Sequence, residues 1–201
     1  MKTLTFWFEL ASTYSYLSAM RIDALADAAG VDVHWRPFLL GPIFAAQGWN
    51  TSPFNIYPAK GRYMWRDMQR QCDKYGLSFN VPDTRLGNWP RSSTKAARIA
   101  ILGLEEGWGR EFVRQVYQAE FVHHADISDE TVLTGLVTKA GGHPGHAIPA
   151  AEMDPIRGHL RANTEEAISR ELFGAPSFTV GDELFWGDDR LEDAIAWAKK
   201  G

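Results

Sequence analysis

The chain has one cysteine, Cys72, among 201 residues, so it forms no internal disulfide and builds no cysteine-based metal cluster. Cys72 lies in a charged helical segment between Gln71 and Asp73, without an activating neighbour, and reads as a structural residue. No run of Lys and Arg gathers anywhere and the formal net charge is −4, which argues against general nucleic-acid binding. No apolar stretch approaches the length of a membrane span. Met-Lys-Thr leads straight into a strand with no apolar targeting segment, so the cytosol is the expected compartment and no membrane partner is expected. The first strand is not followed by a Gly-rich loop of the kind that cradles phosphate. His123-His124 and the His143/His146 pair lack a third ligand at metal-binding spacing, so no metal is expected.

What is present is ordinary in bulk, with 45% hydrophobic and 23% charged residues, as in a soluble globular chain. Its organisation starts at the N-terminus. Thr3 to Phe8 is β-branched and aromatic, and after a short turn Tyr16, Leu17, Met20 and Leu25 recur at helical spacing. A strand feeds a helix, with Ser12 or Thr13 at the N-cap position beside backbone N–H groups that have no intrahelical partner. Anions and thiolates are stabilised there, although a serine in this position is most often only a cap.

Further along, Tyr14 to Ala29 reads as a helix closed by Gly30, and Val31 to Phe38 as a second strand parallel to the first. Leu39 to Pro58, rich in Gly and Pro, reads as a long functional loop. Helices are expected over 59–75, 92–107, 109–123, 128–140 and 153–172, with a second loop at 81–90. Pro176 stands directly ahead of a strand, Gly181-Asp182-Glu183 forms a turn, Leu184-Phe185-Trp186 forms a last strand, and Leu191 to Lys199 closes the chain as a helix.

Four segments then carry a resemblance: Phe8 to Ser12-Thr13-Tyr14-Ser15-Tyr16-Leu17; Pro53-Phe54-Asn55 followed by Lys60, Tyr63 and Asp67; Phe173-Gly174-Ala175-Pro176-Ser177-Phe178; and Gly187-Asp188-Asp189-Arg190-Leu191. In order and over nearly the whole length, they resemble the 2-hydroxychromene-2-carboxylate isomerase and kappa-class glutathione transferase family, a branch of the DsbA-like thioredoxin superfamily. The chain departs at Thr13, where the family usually has Pro, and at Asp188, where it usually has Asn or Ser.

The resemblance implies an α/β thioredoxin-like (DsbA-like) fold formed by residues 1–58 and 143–201, interrupted by an all-helical insertion over 59–142. It implies glutathione as cofactor and Ser12 as the catalytic residue that activates its thiol. It also implies a cis Ala175–Pro176 bond, with the Ala175 backbone pairing to the cysteinyl part of the tripeptide. Asp188, Asp189 and Arg190 would lie near the γ-glutamyl group, Asp189 being the better acceptor for its amine. Asn55 and Lys60 match family positions near the active site, where an amide orients a carbonyl or hydroxyl and a lysine holds a carboxylate. Asn88, Trp89 and Arg91 are further candidates for substrate contact, and Tyr14, Trp89 and Trp186 for an aromatic wall.

The expected activity is glutathione-dependent isomerisation of a hydroxychromene carboxylate or a similar small aromatic intermediate. A kappa-class transferase or peroxidase and a non-catalytic thioredoxin-like peptide-binding module are the alternatives. A homodimer is also expected.

Overall fold

The protein is described by a computed structural model over residues 2–82 and 89–200. The aromatic, β-branched first segment is strand β1 (Thr3–Phe8), placed inside a four-stranded sheet of order β2-β1-β3-β4, where β2 is Asp32–Pro37, β3 is Ser177–Val180 and β4 is Glu183–Trp186. β1 runs parallel to β2, with Phe6 opposite Trp35, and antiparallel to β3, with Phe6 opposite Phe178. β4 pairs antiparallel with β3. Helix α1 (Thr13–Ala29) carries the chain from β1 to β2. It ends at Gly30, whose φ of 67° is a left-handed conformation that favours a residue without a Cβ. This is a thioredoxin-like sheet, and the Ala175–Pro176 peptide is cis.

Both faces of β1 are covered from Phe6 to Phe8, which explains the consecutive aromatic residues there, while Thr3 and Thr5 are partly buried. Leu4, Phe6 and Phe8 are fully buried in one cluster with Tyr16 and Leu17 of α1 and with Leu191 and Ala194 of the closing helix. The Phe6 ring stacks on Phe8 at 5.1 Å and on Phe178 at 5.5 Å, and meets Trp35 edge-on at 5.0 Å. Trp7 points the other way, packing with Phe38, Ile43, Ala167 and Leu172 while its indole N–H donates to Thr179 Oγ1 at 3.0 Å.

The loop expected over 39–58 contains two short helices, α2 (Leu40–Ala46) and α3 (Pro53–Ile56). Pro42 and Pro53 were the loop signals, yet each sits in a first helical turn, where the missing N–H has no intrahelical role. Ser52 caps α3 by accepting from the Phe54 N–H. Helices α4 (Pro58–Tyr75), α5 (Thr94–Glu106), α6 (Gly109–Phe121) and α7 (Glu130–Lys139) follow, with no strand among the described residues between 59 and 142. α8 (Pro144–Ala150), which sequence periodicity did not show, and α9 (Asp154–Ser169) come after Gly142 and pack on α5. The helical layer therefore continues past the Gly141-Gly142 pair.

A Cβ on Gly109 would lie 2.2 Å from the Leu104 backbone N, so glycine is what lets α6 start so close to α5. The last helix is α10 (Leu191–Lys200). No helix among the described residues is long and apolar enough to cross a membrane.

Candidate active site

Where β1 ends and α1 begins, the chain turns over Glu9, Leu10 and Ala11. The Glu9 carbonyl accepts from the Ser12 N–H and from the Tyr117 hydroxyl, both at 3.0 Å, which anchors the turn to α6. Ser12 is the N-cap: its Oγ accepts from the Ser15 N–H at 3.3 Å. The same hydroxyl donates to the Ala175 carbonyl at 3.0 Å, so the two ends of the chain meet at one side chain. The Ala175 N–H has no hydrogen-bond partner among the described residues.

This junction opens into a cleft of about 1260 Å³. Ser12, Tyr14, Asn55, Lys60, Trp89, Arg91, Ala175, Pro176, Asp188 and Asp189 all line it; Arg190 does not. Arg190 is exposed and pairs with Asp193 and with the cleft-lining Asp189. Asn88 lies outside the described residues.

The lining residues differ in what they have free. Lys60 is exposed, with its ammonium 5.4 Å from the Phe54 ring and no carboxylate partner among the described residues. Asn55 donates its amide to Thr51 Oγ1 and to the Trp89 carbonyl, tying the two cleft loops together. Tyr14, Phe54, Trp89 and Trp65 form a chain of rings along one wall, Trp65 meeting Trp89 edge-on at 5.0 Å. The Tyr14 hydroxyl donates to Asp67, and burial first, then Asp67, pushes its pKa up. Trp186 stands at the rim against Phe173, ring centres 5.0 Å apart.

Two residues read from sequence as ligand contacts are engaged elsewhere. The Asp188 carboxylate is buried, accepting from Ser18 Oγ at 2.8 Å and from Arg21 at 3.1 Å through each oxygen, so it joins the start of the last helix to α1. Burial pushes its pKa up while Arg21 opposes the shift. Asp189, by contrast, is exposed. The Arg91 guanidinium pairs with Glu120 and donates to the His124 and Ala125 carbonyls, which fixes the segment ahead of α5 on α6.

The residue that sequence reasoning missed is Glu9. It lines the cleft, yet is buried. Ala11 N–H donates to its Oε2 at 3.0 Å and the Ser93 hydroxyl donates to its Oε1. Ser93 occupies the N-cap position of α5 and makes no cap hydrogen bond with its side chain. Burial raises the Glu9 pKa to about 7, against the lowering effect of Ser93 and Ala11. Glu120, close by on α6, is also raised to about 7 by burial, opposed by Arg91 and reinforced by Glu9. The available signal was one acid inside Phe6–Ala11, an otherwise apolar run; a charge placed there needs partners or a function.

These shifts fix a sign for stability against pH. A carboxyl whose pKa is raised by folding binds its proton more tightly in the folded state. Its stabilising contribution is full below the unfolded value of 4.5 and is lost as pH rises through about 7. The melting temperature is therefore expected to fall between about pH 5 and about pH 8. The fall should be shallower in Glu120→Gln, which loses one of the two titrating groups. Calorimetry across that range checks it, and a rising profile would contradict the assignment. Among the described residues no group of three or more His, Cys, Asp and Glu side chains is placed to hold a metal; His146 and His159 pair singly with Glu106 and Glu105.

The family of the DSBA-like thioredoxin domain matches residues 3–195. The chain belongs to that family. Within it, the chain is 28% identical over 193 residues to 2-hydroxychromene-2-carboxylate isomerase of Sphingobium xenophagum, covering 95% of each protein. It is 25% identical over 203 residues to "Glutathione s-transferase kappa 2" of Caenorhabditis elegans, covering 94% of this chain and 88% of the relative. The solved structure of a 2-hydroxychromene-2-carboxylate isomerase superposes with a TM-score of 0.84 at 24% identity, over 98% of this chain and 95% of that one. In this DsbA-like thioredoxin domain the junction of β1 with α1 carries Ser12-Thr13-Tyr14-Ser15, so no disulfide forms there.

Proposed function

We propose that the protein is a glutathione-dependent isomerase of 2-hydroxychromene-2-carboxylate or a similar intermediate of aromatic catabolism. The observation that carries this reading is the Ser12 hydroxyl, held at the open N-terminus of α1 and against Ala175 at the base of the cleft. The isomerase and transferase relatives support the choice of glutathione and of this reaction class.

The residues present suit the tripeptide. The Ala175 N–H, which has no hydrogen-bond partner among the described residues, lies beside Pro176 and offers backbone pairing to an extended peptide. The hydroxyl and the first N–H groups of α1 offer donors to an anion. When bound, glutathione supplies a thiolate that adds to a conjugated double bond and leaves again, allowing rotation while that bond is single.

Ser12 Oγ turns its proton from the Ala175 carbonyl towards the sulfur, and the α1 dipole adds to the stabilisation of negative charge. Tyr14, Phe54 and Trp89 hold a flat ring, and Lys60 binds a carboxylate. Asp189, exposed at the cleft, accepts from the γ-glutamyl amine. A second reading, transferase or peroxidase of the kappa class, is favoured by the Caenorhabditis elegans relative and uses the same serine.

Turnover of hydroxychromene carboxylate, followed together with the free glutathione concentration, separates the two. Isomerisation at constant glutathione supports the proposal. Stoichiometric loss of glutathione points to the transferase, and no turnover with either substrate class rejects both.

A further inference from the structure

Glu9 lies three residues before Ser12, at the turn that positions it, and its carboxylate folds back onto the Ala11 N–H at the cleft wall. A buried acid with only structural work would be expected to face a cation. Among the described residues Glu9 faces none directly. Around it stand Ser93 ahead of α5, and Tyr117 and Glu120 on α6; Arg91 is engaged by Glu120, with Asp126 on its outer side. A neighbouring acid makes its negative form harder to hold, while Ser93 and Ala11 make it easier. Ser93 gives Glu9 the hydroxyl that its position would otherwise offer to α5.

We propose that Glu9 is the proton acceptor for the thiol bound at Ser12, and returns that proton when the thiol leaves. This inference rests on the glutathione-dependent reading above. In the forward step the S–H bond breaks, its electron pair stays on sulfur, and an O–H bond forms on the Glu9 carboxylate, directly or through one water. On release the reverse transfer restores both groups, so no proton is gained or lost over a cycle and no further reactant is needed. Burial puts the Glu9 pKa near neutrality, where an acceptor is partly ionised and still basic enough to act.

The division of labour is then clear. Ser12 and the start of α1 stabilise the sulfur anion, while Glu9 takes the proton that sulfur gives up. A carboxylate beside the thiol also has an opposing effect: its own charge makes the thiolate harder to form. The two effects separate experimentally.

The test uses the full-length protein with glutathione and reads the ultraviolet absorbance of the bound thiolate against pH, alongside turnover. In Glu9→Gln, loss of the facing charge is expected to move the thiolate transition to lower pH, while turnover falls by about 100-fold and the acid limb of its pH profile near neutrality disappears. A more ionised thiol combined with slower catalysis is the signature; a structural carboxylate would not produce it. Superimposable thiolate titrations overturn the inference, and so does a shifted titration with wild-type turnover.

Ser93→Ala keeps the carboxylate and removes a donor to its ionised form. Its acid limb should move to higher pH, and an unmoved limb overturns the proposal even where Glu9→Gln fails to fold. Absence of any bound-thiolate signal in the wild type overturns the glutathione reading itself, and this inference with it.

Discussion

Ser12→Ala is expected to slow turnover strongly in a protein that still folds. The serine oxygen caps α1 by accepting from Ser15, and its proton goes to Ala175. Losing the cap costs about 0.5–2 kcal/mol, small against a total stability of about 5–15 kcal/mol. The functional loss is larger in kind, because a hydrogen bond to a charged group contributes about 1.5–3 kcal/mol. At about 1.4 kcal/mol per pKa unit, the bound thiol should titrate roughly one to two units higher without the hydroxyl. Its thiolate fraction at neutral pH then drops about tenfold or more. Absorbance of the bound thiolate against pH, with kcat measured on the same samples, tests this. Superimposable titrations with unchanged turnover would leave Ser12 as a helix cap and nothing else.

Phe6→Ala is expected to remove most of the stability margin. Phe6 is fully buried, lies on a strand paired on both sides, and touches three aromatic rings from β1, β2 and β3. Truncating such a ring loses its transfer free energy and leaves a cavity that the sheet cannot readily close, a cost of about 3–5 kcal/mol. The urea midpoint should fall accordingly, with an unchanged slope. Phe173→Ala is the control: its ring is 50% exposed, and truncation should stay within about 0.5 kcal/mol. A Phe6 effect no larger than that of Phe173 would mean the sheet repacks around the void.

The contrast between these two phenylalanines shows what the sequence makes legible. The run from Thr3 to Phe8 identifies a buried strand because its composition has few other uses, and the helical spacing after Ser12 follows directly. The four matched segments then bring distant residues to one cleft, which composition alone does not do. Illegible were features that depend on what a side chain meets. Arg91 and Asp188 have the charges expected of ligand contacts, yet one is engaged by Glu120 and two backbone carbonyls and the other by Ser18 and Arg21. Glu9 was passed over for the opposite reason, since it falls at an unspecified position between Phe8 and Ser12 of the matched segment and only burial gives its carboxyl unusual chemistry. The helices α2 and α3 were hidden because Pro in a first turn and Pro in a loop look alike in one dimension.

The hydrogen bond from Ser12 to Ala175 joins residues 163 positions apart, and this has a consequence for how the protein is made. A nascent chain can form β1, α1 and β2 early, but it has no complete cleft until the segment holding Ala175 and Pro176 has left the ribosome and paired with β1. Such distant closure is slow relative to local helix formation. The cleft is therefore completed only after Ala175 and Pro176 have been made. Fragments lacking the β3–β4 hairpin should carry the serine without the cleft, so that under the proposed function retention on glutathione would report on completed folding as directly as on chemistry.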